Sequence, residues 1–246
     1  MARIRLQGPE LDLEDPILVE GFPGLGLVGK IATDHLVREL DMRYHASVDC
    51  EDLPGIGVYR GGDRTVRPPV RIYVSEDHEL FALQSDAPVK ADAIGSVASC
   101  VMEWIDAEGI TPFYLSGLPA DRDGRPDVYG VGTGDAGETL AAHDVAVPPE
   151  DGVVTGPTGA LLNRAAQHGV DSIGLVVESN PKFPDPEAAT VLLEEGICPI
   201  ADLEVDVQDL IDRAAEIREK REQFAQQMQQ IGEAESSQAQ PLRMYQ

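Results

Sequence analysis

The chain is poor in lysine, cysteine and aromatic residues, and each shortage closes off a class of function. Four lysines (Lys30, Lys90, Lys182, Lys220) stand among 19 bases, against 44 acids, and the formal net charge is −25. The acids run the whole length of the chain, so this is not an acidic tail on a neutral body. Such a surface repels nucleic acid and anionic membranes, and neither is expected as a partner. The three cysteines, Cys50, Cys100 and Cys198, are odd in number and far apart, with no C-x-x-C pair. They suggest neither a disulfide framework nor a zinc site. The histidines at 35, 45, 78, 143 and 168 have no metal-ligand spacing, so no metal is expected. No apolar run approaches the roughly 20 residues of a membrane span. The opening "MARIRLQGPELDLEDP" reaches acids before any apolar stretch, so no signal peptide is expected and the protein is expected to be cytoplasmic.

A catalytic set is missing too. "SGLP" (116–119) lacks the flanking glycine of a nucleophile elbow. "DRDGRPD" (121–127) lacks the later glutamate of a calcium loop and reads as a turn. No residue is nominated as catalytic.

What the sequence does contain is a core. Hydrophobic residues make up 42% of 246 positions, enough for a large domain. "ILVEGF" (17–22) reads as a buried strand, and 27–40 carries apolar residues at helical spacing. "RYHASVD", "VRIYV" and "ELFALQS" read as strands, 90–109 as a helix stopped at Gly109, and "PFYLSGL" as a strand. Residues 119–138 read as loops with at most one short strand, "DVYGVG". "GVVTG" reads as a strand leading into a helix over 158–169, followed by the strand "DSIGLVVES" and a helix over 185–196. Alternation of this kind predicts a layered α/β/α domain with a largely parallel sheet over 1–203.

Beyond it, Val207, Leu210, Ala214, Ile217, Arg221, Phe224, Met228 and Ile231 are separated by alternating steps of 3 and 4. That is a heptad seam with one charged interruption. The helix over 204–231 either lies on its own domain or bundles with copies of itself as a coiled coil; in the second case Leu210, Ile217, Phe224, Met228 and Ile231 form the oligomer seam. Residues 232–246 are polar and read as a flexible tail.

"EGFPGLGLVGK" (20–30) holds the one motif that suggests a ligand. Gly24, Gly26 and Gly29 fit G-x-G-x-x-G after a strand and before a helix, the context of a dinucleotide site. Against it, residue 31 is Ile, where a phosphate loop has the Ser or Thr that holds magnesium, and few bases are at hand to neutralise phosphates. The structural alternative is that Gly21, Pro23, Gly24, Gly26 and Gly29 form a tight strand-to-helix turn packed on the sheet. On that reading no cofactor is needed.

"VEGFPGLGLVGKIATDHLV", "YLSGLP", "VVTGPTGALL" and "PKFPDPEAATVLLEEG" together resemble the proteasome assembly chaperone family of archaea and eukaryotes, over roughly residues 10 to 200. The resemblance implies a phosphorylase-like sandwich and a protein that is not an enzyme. It also implies that the partner is the α subunits of the proteasome core particle, while the heptad seam carries the expectation of a homo-oligomer, trimer to pentamer. The ending Met244-Tyr245-Gln246 resembles the hydrophobic–Tyr–any tails that enter pockets between those subunits. The excess of acids over lysines is similar to that of proteins from salt-loving archaea. The rival reading is a nucleotide-dependent, ligase-like enzyme built on the glycine turn at 21–30.

Overall fold

The computed structural model describes residues 2–9, 11–121 and 124–215. Its strands are β1 (Arg3–Leu6), β2 (Ile17–Gly21), β3 (Arg43–Asp49), β4 (Val70–Ser75), β5 (Leu80–Ser85), β6 (Thr111–Pro119), β7 (Val128–Thr133) and β8 (Ser172–Ser179). The helices are α1 (Val28–Glu39), α2 (Ala91–Glu108), α3 (Ala136–Ala142), α4 (Gly156–His168) and α5 (Pro186–Val191). The last runs through a π-helical turn (Leu192–Ile197) into α6 (Cys198–Ala201).

One eight-stranded sheet, ordered β1-β3-β4-β5-β2-β6-β8-β7, divides the molecule. Alternate residues of β2 face opposite ways, and each side has its own core. Val19 belongs to the cluster under α1 and α5, with Leu36, Leu115, Leu175 and Leu192. Leu18 belongs to the cluster under α2 and α4, with Ile72, Val101, Tyr114 and Leu161. Three layers are therefore present.

The sheet is mixed, which corrects the expectation of a largely parallel one. Only β5, β2, β6 and β8 run parallel to their neighbours in that order. β1, β3, β4 and β5 pair antiparallel, and β7 runs antiparallel to β8. The cause lies in the connections. A parallel neighbour needs a crossover, usually a helix, whereas β3 to β5 are joined by the 50–69 loop and a tight turn at 76–79. "GVVTG" is also corrected. Residues 152–155 are coil, Val153 is 89% exposed, and the chain enters α4 at Gly156 directly. β1 and α3 were not expected. No helix among the described residues is long and apolar enough to cross a membrane.

Candidate functional site

The centre of the sheet is where a ligand is normally held in an open α/β fold, beyond the carboxyl ends of the strands. Here that place is filled by the chain itself. After β2 the backbone turns through Phe22–Leu27, with Gly26 at φ 62° and Leu27 at φ 53°. The Gly26 carbonyl accepts a hydrogen bond from the Asp185 N–H (2.8 Å). A Cβ at Gly26 would lie 1.9 Å from Ser179 Oγ. The Asp185 carboxylate locks this corner, accepting from Ser179 Oγ (3.3 Å), Asn180 N–H (2.9 Å) and, as the cap of α5, Ala188 N–H (3.2 Å). Gly29 sets α1 directly on β6, where its Cβ would stand 3.1 Å from Leu115 Cβ. Gly21 is covered by Thr33, whose hydroxyl donates to the Gly29 carbonyl (2.7 Å). Pro23 is half-buried, and Gly24, the first glycine of the motif, is exposed.

Lys30 is equally committed. Its ammonium donates to Asp34 (2.8 Å) and pairs with Asp86 (3.1 Å). Asp86 also meets the guanidinium of Arg60 (2.9 Å) and, more closely, that of Arg71. Gln84 donates to Asp34 (2.7 Å), and Arg71 donates to Tyr73 Oη (3.1 Å). Burial works to raise the Asp86 carboxyl, but the hydrogen bond from Arg71 and the neighbouring Lys30 and Arg71 charges hold it below the usual value. A phosphate seeking Lys30 would have to displace two carboxylates. Sequence reasoning found Lys30 and missed Arg71 and Asp86. The available signal was an arginine inside the apolar strand "VRIYV", which needs a buried acid to pair with.

A second polar centre lies at the end of β2. Glu20, fully buried, faces Tyr114 across the β2–β6 register. Its Oε1 accepts from Phe22 N–H (2.7 Å) and Thr158 Oγ1 (3.3 Å). Among the described residues, Glu20 Oε2 and the Tyr114 hydroxyl have no hydrogen-bond partner within 3.5 Å. Burial pushes the Glu20 pKa from its ordinary 4.5 to about 7, against the lowering effect of the bonds from Phe22, Thr158 and Leu115.

His35 is buried. Arg38 donates to its Nδ1 (2.8 Å), and its Nε2 donates to the Asp206 carbonyl (2.6 Å). No group of His, Cys, Asp and Glu among the described residues could hold a metal. Residues 208–215 are helical, and Leu210 is buried in the α1-side core of its own chain. Ile217, Phe224, Met228 and Ile231 of the seam, and Met244, Tyr245 and Gln246 of the tail, lie outside the described residues.

A model of the PAC2 family matches residues 18–225. An uncharacterized protein of Methanocaldococcus jannaschii is 29% identical over 220 residues, covering 89% of each chain. Pyrococcus furiosus PbaA, described as an archaeal homolog of proteasome-assembly chaperone, superposes with a TM-score of 0.78 at 26% identity. That match covers 96% of this chain and 97% of PbaA. P. furiosus PbaB, described as an archaeal proteasome activator, gives 0.77 at 26% identity, covering 91% and 98%.

Proposed function

The chain belongs to the PAC2 family, and from that membership we propose that it is a proteasome-assembly chaperone or core-particle-binding factor that works without ATP. The observation that carries the reading is full-length similarity, in sequence and fold, to one assembly-chaperone homolog and one proteasome activator. The α/β body, with its phosphorylase-like sandwich, is a scaffold. The glycine turn is structural, which the closed packing of Gly26 and the double pairing of Lys30 support. The helix that begins at 208 bundles with copies of itself, through the part of the 204–231 segment beyond Leu210, into a trimer to pentamer, and the tail over 232–246 presents Met244, Tyr245 and Gln246 to the α subunits in the cytoplasm. In that pocket a free carboxylate can pair with a lysine, tyrosine offers a rigid ring with a polar tip, and methionine fills an irregular apolar gap. One such anchor is weak, and several on one oligomer act together through effective concentration, adding about 10²-fold or more.

The test is association of the intact chain and a chain lacking its last three residues with purified core particle and with free α subunits. The tail-deleted chain is expected to lose core-particle binding while keeping its fold. Equal binding by both overturns tail docking. No binding of the intact chain to either preparation overturns the function.

A further inference from the structure

After α6 the coil over 203–207 lays Leu203 into the α1-side core and packs Val205 and Val207 against it. A helix then begins at 208. Of residues 208–215 only Leu210 is buried and Ala214 half-buried; Asp209, Ile211, Asp212 and Arg213 are exposed. So narrow an apolar contact fixes a point on the helix but leaves its direction open.

Two residues of α1, one turn apart, supply what is missing. His35 is buried, and a buried imidazole is costly unless its nitrogens are hydrogen-bonded. Both are. Nδ1 accepts from the Arg38 guanidinium (2.8 Å), and Nε2 donates to the Asp206 carbonyl (2.6 Å), 171 residues further along the chain. Accepting at one nitrogen and donating at the other is what the singly protonated ring offers. The Asp206 carbonyl lies outside the helix ladder, which starts one residue later: the Leu210 and Ile211 N–H groups both donate to the Val207 carbonyl (2.9 and 3.1 Å). Asp206 Oδ1 in turn accepts from the Gln208 N–H (2.9 Å), so the residue that His35 holds also ties down an orphan donor of the first turn. Arg38 completes the bracket by pairing with Asp209 (3.4 Å), an acid placed where the helix dipole favours one. Solvent weakens that exposed pair, so the buried bond from His35 carries the position.

We propose that His35 and Arg38 are positioning residues that mount the C-terminal helix, setting where and in which direction it leaves the α/β body. On the reading above, that helix carries the oligomer seam and leads to the docking tail, and the functional consequence of the mount rests on that reading. Several tails act together only when their oligomer presents them within reach of their sites. A loosened mount therefore costs avidity without touching the tail itself.

Amide hydrogen exchange of the full chain tests the mount. His35→Phe keeps a ring and loses both hydrogen bonds. Exchange over 206–215 is expected to quicken by about ten-fold in it, with β2, β6 and β8 unchanged. Arg38→Gln, at an exposed position, is expected to quicken the same stretch by about three-fold. His35→Gln, whose side-chain amide can donate to the Asp206 carbonyl, should stay near wild type. The mount is overturned if His35→Phe exchanges like wild type over 206–215, or if His35→Gln is as fast as His35→Phe. It is also overturned if the central strands quicken to the same extent, because His35 would then be holding the body as a whole. Core-particle binding by the chain is expected to fall by about ten-fold in His35→Phe and to hold in His35→Gln. Equal binding by His35→Phe and wild type, with faster exchange over 206–215, overturns the positioning role. A wild type that binds no core particle sinks the reading above instead, and exchange alone then decides the mount.

Discussion

Two residues of the glycine-turn region carry opposite kinds of tension. Gly26 sits at φ 62° with Ser179 Oγ where its Cβ would be. Gly26→Val is expected to lower stability by about 1–3 kcal/mol from the backbone alone, and by more if Ser179 cannot move aside. Urea denaturation measures this, and an unchanged midpoint would mean that the turn is not packed as described. Lys30→Ala should also lower the midpoint, yet leave partner binding intact, since the ammonium is occupied by Asp34 and Asp86. Glu20 stores a pH dependence. Its folded-state pKa of about 7 exceeds the ordinary 4.5, so the folded chain holds this proton more tightly than the unfolded one. The contribution favours folding at low pH and fades as pH rises from the ordinary carboxyl value through about 7. The span corresponds to about 3 kcal/mol. Glu20→Gln, which keeps an acceptor for Thr158, should remove that dependence and be more stable than wild type at about pH 8.5 but not at about pH 5. Parallel stability curves for the two proteins would contradict the assignment.

At the scale of elements, much was legible because periodicity is a local signal. The strand over β2, the helices α1, α2 and α4, and the strands β6 and β8 stand close to where apolar spacing and stop residues put them. Direction was less accessible. Whether β3, β4 and β5 run parallel depends on what joins them, and the 50–69 stretch, a connection without a helix, carries no periodic signal that sets strand direction. α3 was hidden in a Gly-rich stretch, and β1 is only Arg-Ile-Arg-Leu. Lys30 stood out through its motif, but Arg71 and Asp86 reach it only through the pairing of β4 with β5. The helix expected over 204–231 shows the same limit: in the structure it begins at 208, after coil over 203–207. Leu210 is anchored in its own core, and the proposed bundling begins beyond it. Phe224→Asp would put a charge in the middle of that proposed seam and should shift the sedimentation of the oligomer toward monomer. A wild type that already sediments as a monomer at micromolar concentration in high salt removes the basis for the seam.

For the whole molecule the decisive quantity is charge. A net −25 makes the folded state repel itself more than the expanded unfolded chain does, and added salt relieves the difference. Salt also weakens attraction in exposed pairs such as Arg3–Asp49 and Arg43–Glu76, so the two effects oppose each other. Numbers decide between them. With 44 acids and 19 bases, acids exceed bases by 25, whereas exposed pairs are each worth about 0–1 kcal/mol. The buried ties of Arg71 and Lys30 to Asp86 are screened much less. Repulsion therefore dominates, and the melting temperature should rise as potassium chloride is increased from about 0.1 M, where charges interact over about 10 Å, to about 1 M, where the range is about 3 Å. Most of the gain should come in that interval, because further screening acts over distances shorter than the spacing of the charges. Sodium and potassium chloride should act alike if screening is the cause. A melting temperature that falls over the interval would mean that ion pairs, not excess acids, govern the stability of this chain.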